Sequence, residues 1–294
     1  MSVGAELAAA VGDALSTSVL GGQRVSGGWL NDAWRLELAD GRDAFVKTSA
    51  DALPGSYAAE ARGLAWLGEA GGLPVPEVLA VLDRDDADAP GPRLLALEWI
   101  DAGRLGRDGE ETLGRGLAAI HAAGAPHFGS EHPLVLGPLE LPGGPAASWT
   151  ELYAQARLLP AARTAADAGR LDAAGLAAVE RVCERLPELA GPPEPPARLH
   201  GDLWTGNVLP SARGVPYLVD PAAHGGHREV DLAMLRLFGA PSQRCFDAYA
   251  EAFPLAQGHA ERVGLWQLLP LLVHAALFGG GYGASAAATA ARYA

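Results

Sequence analysis

The chain has 294 residues, enough for a sizeable buried core, and is 49% hydrophobic against 19% charged, the balance of a folded rather than a disordered protein. Its formal net charge of −13 argues against a protein that tracks nucleic-acid phosphates, which needs basic stripes to displace counterions. That charge leaves a small-molecule ligand as the expectation, and Cys183 and Cys245, too few and too isolated for a disulfide framework or a thiolate zinc site, fit a reducing cytoplasm.

The opening "MSVGAELAAAVGDALS" has no basic n-region and is interrupted by Glu6 and Asp13, so it reads as a short amphipathic helix rather than a signal peptide. From Gln23 to Ile100 the signals are short and strand-like. "AWRLELADG" alternates Trp34, Leu36 and Leu38 against polar neighbours, and "DAFVKTS" follows at hairpin distance, placing Phe45 and Lys47 on one face. A helix is predicted over 56–68, where Glu60, Leu64 and Leu67 share a face with the carboxylate at the head of an apolar stripe. "PEVLAVLD" and "RLLALEWI" then read as two strands separated by the acidic, Pro-rich turn "RDDADAPGP". These elements predict a small mixed sheet with one inserted helix.

Beyond Asp108 the pattern becomes mainly helical, starting with "DGEETLGRGLAAIHAAG", where Asp108 and Glu111 resemble a capping box. Four more helical stretches begin at Ser148, Asp172, His227 and Ser242, around a loop-rich region with short apolar strands at 208–209 and 217–219. Residues 263–291 lack Asp, Glu, Lys and Arg and are long enough to span a membrane. Gln267, Pro270, His274 and the glycines at 279–281 break that run, which instead predicts a buried C-terminal helix closed by Gly279 and no membrane partner. The expected architecture is α+β and two-lobed, with an N-terminal lobe over residues 1–100 and a larger, mainly helical lobe over 101–294.

The chemistry-bearing residues cluster. Lys47 is the only lysine among 22 basic residues, a compact ammonium where every other cation is a guanidinium fork. "HGDLWTGNVL" carries Asp202 and Asn207, and Asp220 ends the apolar run "PYLV" thirteen positions on. Any one of them alone could be a turn former or helix cap. Together they suit metal-dependent phosphoryl transfer, in which one carboxylate orients the attacking hydroxyl while an amide oxygen and a second carboxylate hold Mg²⁺ against nucleotide phosphates.

"HGDLWTGN" followed by "VDP" resembles the catalytic and metal-binding loops of kinase-like phosphotransferases, which implies a two-lobed protein-kinase-like fold. The stretches "FVKTS", "EARGLAWL", "LALEWID", "HGDLWTGNVL" and "GHREVDLAM" are similar, more specifically, to the fructosamine kinase (ketosamine 3-kinase) family over nearly the whole chain. That resemblance implies ATP and Mg²⁺ as cofactors and a sugar hydroxyl of a free or protein-linked ketosamine as acceptor. It further implies that Lys47 pairs with Glu60 and reaches the phosphates, that Gly27 and Gly28 cover them, and that Glu98 and Ile100 at the lobe connection face adenine. Asp202 is the expected catalytic residue, and Asn207 and Asp220 the expected metal ligands.

Trp204, His224 and Arg228 are the candidate acceptor contacts, although Arg228 and His227 could equally serve a structural ion pair with Glu229 or Asp231. His121 reads as a core histidine, and Asp231 as a helix cap or a brace for the catalytic loop. The chain departs from the family at His224, Gly225 and Gly226, where bulky aromatics usually stand. Competing readings are an aminoglycoside, choline or other amino-alcohol kinase of the same fold, and a nucleotide-binding regulator without catalysis. Either a monomer or a homodimer is compatible with the sequence.

Overall fold

The structure, a computed structural model, describes residues 3–25, 32–83 and 91–294. Gly27 and Gly28 lie outside the described residues. The chain opens with α1 (Ala5–Leu15), β1 (Val19–Val25), β2 (Asp32–Leu38), β3 (Asp43–Thr48), α2 (Ser56–Glu69), β4 (Val78–Leu82) and β5 (Leu94–Glu98). The strands form one sheet in the order β1-β2-β3-β5-β4. The expected mixed sheet is antiparallel at every pairing. The α2 crossover makes β3 and β4 run the same way, but β5 lies between them, so no parallel ladder forms.

Alternation along the strands assigns each sheet face to one helix. Trp34, Leu36, Leu38, Ala44 and Val46 pack with Leu7 and Val11 of α1. Phe45, Leu95 and Leu97 turn the other way, toward Tyr57 and Leu64 of α2. Burial of a residue such as Leu64 or Leu95, both fully inaccessible, contributes about 1.5–3 kcal/mol. Lys47 shares the α2 face with Phe45, and this brings it under the helix that carries Glu60.

The second lobe starts with α3 (Arg107–Ala122), β6 (Phe128–Ser130), β7 (Leu134–Leu136), β8 (Leu139–Leu141) and β9 (Gly144–Ala146). The anticipated capping box at Asp108 and Glu111 does not form. Gly106 is the N-cap, two positions earlier than a box with Asp108 requires, and Glu111 pairs with Arg115 at 3.2 Å and Arg244 at 2.6 Å.

The helix predicted from Ser148 is three consecutive segments, namely α4 (Trp149–Leu152), a π-helical stretch (Tyr153–Leu158) and α5 (Leu159–Asp167). Pro160 explains the break, because it has no N–H to give the carbonyl four residues back. That carbonyl, on Ala156, accepts instead from Arg157 Nη1 at 2.9 Å.

There follow α6 (Ala173–Leu189), β10 (Ala197–Leu199), a 3₁₀ turn (Thr205–Asn207), β11 (Val208–Pro210), β12 (Pro216–Leu218), β13 (His224–Gly226), α7 (Glu229–Leu235), α8 (Gln243–Ala252), α9 (His259–Trp266), α10 (Leu268–Phe278) and α11 (Tyr282–Ala290). The apolar C-terminal run is thus three helices. α10 is buried in the largest core and ends at Gly279, whose φ of 66° suits glycine. Among the described residues no helix is long and apolar enough to cross a membrane.

Two small sheets lie beside the cleft between the lobes, one of them lining it through Gly129, Ser130, His224 and Gly225. β11 and β12 form a hairpin, and β10-β13-β6-β9 form a four-stranded sheet. Gly225 lets β13 lie against β6, because a Cβ there would collide with the His127 carbonyl oxygen. The departure from bulky aromatics at this position is therefore built into the strand packing.

Candidate active site

The hairpin and the turn before it deliver the polar groups of "HGDLWTGN" to one end of the cleft. Gly201 has a φ of 83°, and a Cβ there would collide with the carbonyl oxygen of Ala222, so the loop and the segment after Asp220 approach at a point only glycine allows. Val219 N donates to the Asn207 carbonyl at 3.1 Å, which fixes Asp220 one residue beyond that contact. Asp220 itself has a φ of 53°, a left-handed conformation that Asp adopts more readily than most residues and that recurs at functional sites.

Asn207 is buried, and its Nδ2 donates to the Asp202 carbonyl oxygen at 2.8 Å and to Asp202 Oδ2 at 3.2 Å. Its Oδ1 is thereby the atom left for a cation. Asp202 and Asp220 both line the cleft. Burial, then the charge of Asp220, raises the Asp202 carboxyl to about 7. Desolvation at its position would raise Asp220 too, but the ammonium of Lys47 outweighs it and holds this carboxyl below the usual range.

Lys47 Nζ meets Asp220 Oδ1 at 2.7 Å and forms an ion pair with Glu60 Oε2. Its own burial works against the charge, yet the two carboxylates prevail and its pKa is raised. Glu60 is pushed up to about 7 by burial, partly offset by Lys47, and its buried Oε1 has no hydrogen-bond donor among the described residues. Leu95 stands opposite Lys47 and Glu98 opposite Ala44. The strand end at Glu98 therefore lies three residues, roughly 10 Å, from the lysine. Glu98 N donates to the Glu77 carbonyl at 2.8 Å, and the Glu98 carboxylate accepts from Glu77 N at 3.2 Å. Ile100 follows two residues beyond the strand.

The frame behind these groups is largely a histidine and aspartate network that the sequence reading had only half assigned. His200 Nδ1 accepts from Asp202 N at 3.3 Å, and its Nε2 donates to the Val219 carbonyl at 2.9 Å, so one neutral imidazole ties the Asp202 loop to the strand before Asp220. Burial keeps His200 below its ordinary pKa. Asp231 accepts from His200 N at 2.7 Å and Gly201 N at 2.9 Å, and faces His121 Nε2 at 3.3 Å. It braces the loop rather than capping a helix. His121 is a core residue, bonded through Nδ1 to the Tyr249 hydroxyl at 2.8 Å.

The three candidate acceptor contacts separate. His224 lines the cleft, and its Nδ1 donates to the Ala222 carbonyl at 2.9 Å. Burial and the nearby guanidinium of Arg157 depress it to about 4. Trp204 is outside the cleft lining, 38% exposed, with its ring over Gly206. Arg228 is buried and turned away from the cleft. It pairs with Glu194, not with Glu229 or Asp231, at 2.7 Å and 2.8 Å, and donates to the carbonyls of Phe253 and Pro254. Glu229 pairs instead with Arg262 at 2.6 Å, and His227 stacks on Trp266 at 5.1 Å. The chain distance from Arg228 to Glu194 gave no signal of that partnership.

The cleft has a volume of about 740 Å³. One wall is α2, with Ser56, Ala59, Arg62, Gly63 and Trp66, and the facing wall is residues 125–138. Sequence reasoning missed both walls. The α2 residues interleave with the core stripe that dominated the helix pattern, and the facing segment consists of short strands and turns with no motif.

The fructosamine kinase family matches residues 3–293 of the chain. A Thermobifida fusca protein of solved structure, described as a fructosamine-3-kinase, is 45% identical and superposes with a TM-score of 0.89 over 98% of both chains. A Thermus thermophilus protein named "Probable ketoamine kinase" is 37% identical over 87% of each chain. The choline kinase of Streptococcus pneumoniae, 16% identical with a TM-score of 0.61 over 96% of both chains, shares the fold. The chain belongs to the fructosamine kinase family and is an ATP-dependent phosphotransferase with a protein-kinase-like fold.

Proposed function

We propose that the protein transfers the γ-phosphoryl group of ATP to the 3-hydroxyl of a ketosamine, with Asp202 as the residue that orients the acceptor. The observation that carries this reading is the convergence of Asp202, Asp220 and the Lys47–Glu60 pair on one cleft beside the Asn207 amide. The first 100 residues serve as the nucleotide lobe, with Gly27, Gly28, Glu98 and Ile100 as its further contacts, and the rest supplies the catalytic loop and acceptor walls. A cytoplasmic location fits this chemistry, since ATP is its donor.

Asn207 Oδ1 and the Asp220 carboxylate suit Mg²⁺, a hard cation that takes oxygen ligands and keeps its remaining positions for water and phosphate. The ammonium held on Asp220 already marks that carboxylate as a cation position. When bound, Mg²⁺ supplies neutralising charge to the β and γ phosphates. Lys47, positioned by Glu60, contacts the α and β phosphates and keeps them in line. Asp202 accepts the proton of the sugar hydroxyl as the hydroxyl oxygen bonds to the γ-phosphorus. The bond from that phosphorus to the β–γ bridging oxygen breaks, and ADP leaves. A base with its pKa raised to about 7 is matched to a neutral operating pH.

Incubation with ATP, Mg²⁺ and a panel of ketosamines, aminoglycosides and choline, with ADP release as readout, tests the acceptor class. Turnover of a ketosamine with phosphate on the 3-hydroxyl is expected. Turnover restricted to an aminoglycoside or choline would replace this reading.

A further inference from the structure

The cleft has a second charged end, away from the phosphoryl groups. On α2, Ser56, Ala59, Gly63 and Trp66 form one stripe along the cleft wall, with Glu60 at one edge and Arg62 at the opposite edge. The stripe lies close on the segment after Asp220, since a Cβ at Gly63 would stand 3.2 Å from Ala223 Cβ and 3.3 Å from Pro221 Cγ. Because the Glu60 edge turns toward Lys47, the Arg62 edge leads away from the site of transfer.

Among the described residues two fixed cations line the cleft, Lys47 and Arg62. The charge of Lys47 is matched by Glu60 and Asp220. For Arg62, an exposed residue, no carboxylate partner is found among the described residues. One turn further on, Trp66 presents an indole to the cleft, with the Arg198 guanidinium 4.6 Å from its ring centre. The cleft volume of about 740 Å³ lies in the upper half of the roughly 300–1,000 Å³ typical of small-molecule sites. It therefore has room for the amine's substituent as well as for the sugar.

We propose that Arg62 receives a carboxylate on the amine half of the acceptor, so that the enzyme prefers ketosamines made from amino acids over those made from plain amines. The assignment rests on the ketosamine reading above. A planar guanidinium donates two parallel hydrogen bonds to a carboxylate, whereas a polycationic acceptor would bring like charge to it. The acceptor that fits both ends is zwitterionic, with its hydroxyl at Asp202 and its carboxylate at Arg62.

The test compares fructose adducts of 6-aminohexanoate and of hexylamine, which differ only in the carboxylate, with the wild type, Arg62→Gln and Arg62→Lys. The wild-type KM should be about tenfold lower for the carboxylate adduct, the gain of one charge-assisted contact at an exposed site. Arg62→Gln should erase that difference through KM rather than kcat and leave the KM for MgATP unchanged. Arg62→Lys should restore part of it. Equal KM values for the two adducts in the wild type, an Arg62→Gln effect of the same size on both, or a changed KM for MgATP would overturn the assignment. Turnover of both adducts without dependence on Arg62 removes only this inference. Turnover of neither adduct beside turnover of an aminoglycoside removes the ketosamine reading and the inference together.

Discussion

Lys47 and Asp220 stand 173 residues apart in the chain and meet at 2.7 Å, so the ammonium on the sheet and the carboxylate beyond the hairpin form one unit across the cleft. Glu60 closes the unit from α2. Arg at position 47 would put a wide fork into a buried space filled by a single nitrogen. Lys47→Arg should lower kcat/KM by about 10²-fold, comparable to losing one electrostatic contact that stabilises the transition state, and steady-state kinetics checks it. Glu60→Ala should be milder, because it removes the positioning partner and leaves the phosphate contact.

The two aspartates of the cleft are given different tasks and should fail differently. Asp202→Asn should lower kcat by about 10²- to 10⁴-fold, the range for a lost general base, with little change in nucleotide affinity. Asp220→Asn removes a charged ligand, so MgATP binding should weaken and activity should recover in part at high Mg²⁺. A titration of both variants against Mg²⁺ separates them. Rescue of Asp202→Asn by metal, with normal MgATP binding by Asp220→Asn, would reverse the roles.

Asp231 carries two backbone N–H groups of the catalytic loop on two carboxylate oxygens. In Asp231→Asn one of those oxygens becomes a donor facing a donor, which should cost about 1.5–3 kcal/mol of stability, the worth of a hydrogen bond to a charged group. The loop should also misplace Asp202, lowering kcat by about 10²-fold while the KM for MgATP holds. Thermal unfolding and steady-state kinetics read the two effects separately.

The contribution of His224 to stability should fall as the pH drops from about 6.5 to about 4. His224 is buried and neutral, with its pKa depressed to about 4 by burial and by Arg157, whereas in the unfolded chain it titrates near 6.5. Between these values the unfolded state binds more protons, so the stabilisation is complete above about pH 6.5 and is lost toward pH 4, up to about 3 kcal/mol. Urea unfolding of His224→Gln should show a slope of stability against pH that is less positive than wild type by about 1.4 kcal/mol per unit in this window. An unchanged slope would place the histidine's titration elsewhere.

Much of the frame was legible because it rests on local periodicity. Trp34, Leu36 and Leu38 announced a strand with one buried face, and Glu60 with Leu64 and Leu67 announced the helix above it. What stayed hidden depends on long-range pairing. Arg228 sits in a polar run that invites a ligand role, yet Glu194 and two backbone carbonyls hold it in the core. The antiparallel ladder depends on β5 inserting between β3 and β4, which strand patterns do not encode. The cleft walls escaped for a related reason. Arg62 lies off the apolar stripe, and nothing local distinguishes it from any solvated helix position.

The most direct test of the account is the transfer itself. Wild-type protein and Asp202→Asn would be incubated with ATP, Mg²⁺ and a synthetic fructose or ribulose adduct of an amino acid, following ADP release and the position of phosphate on the sugar. The account predicts stoichiometric ADP and a 3-phosphorylated adduct from the wild type, with the rate cut by about 10²-fold or more in the variant. Equal rates from the two proteins, or no phosphorylated ketosamine while another alcohol is turned over, would contradict it.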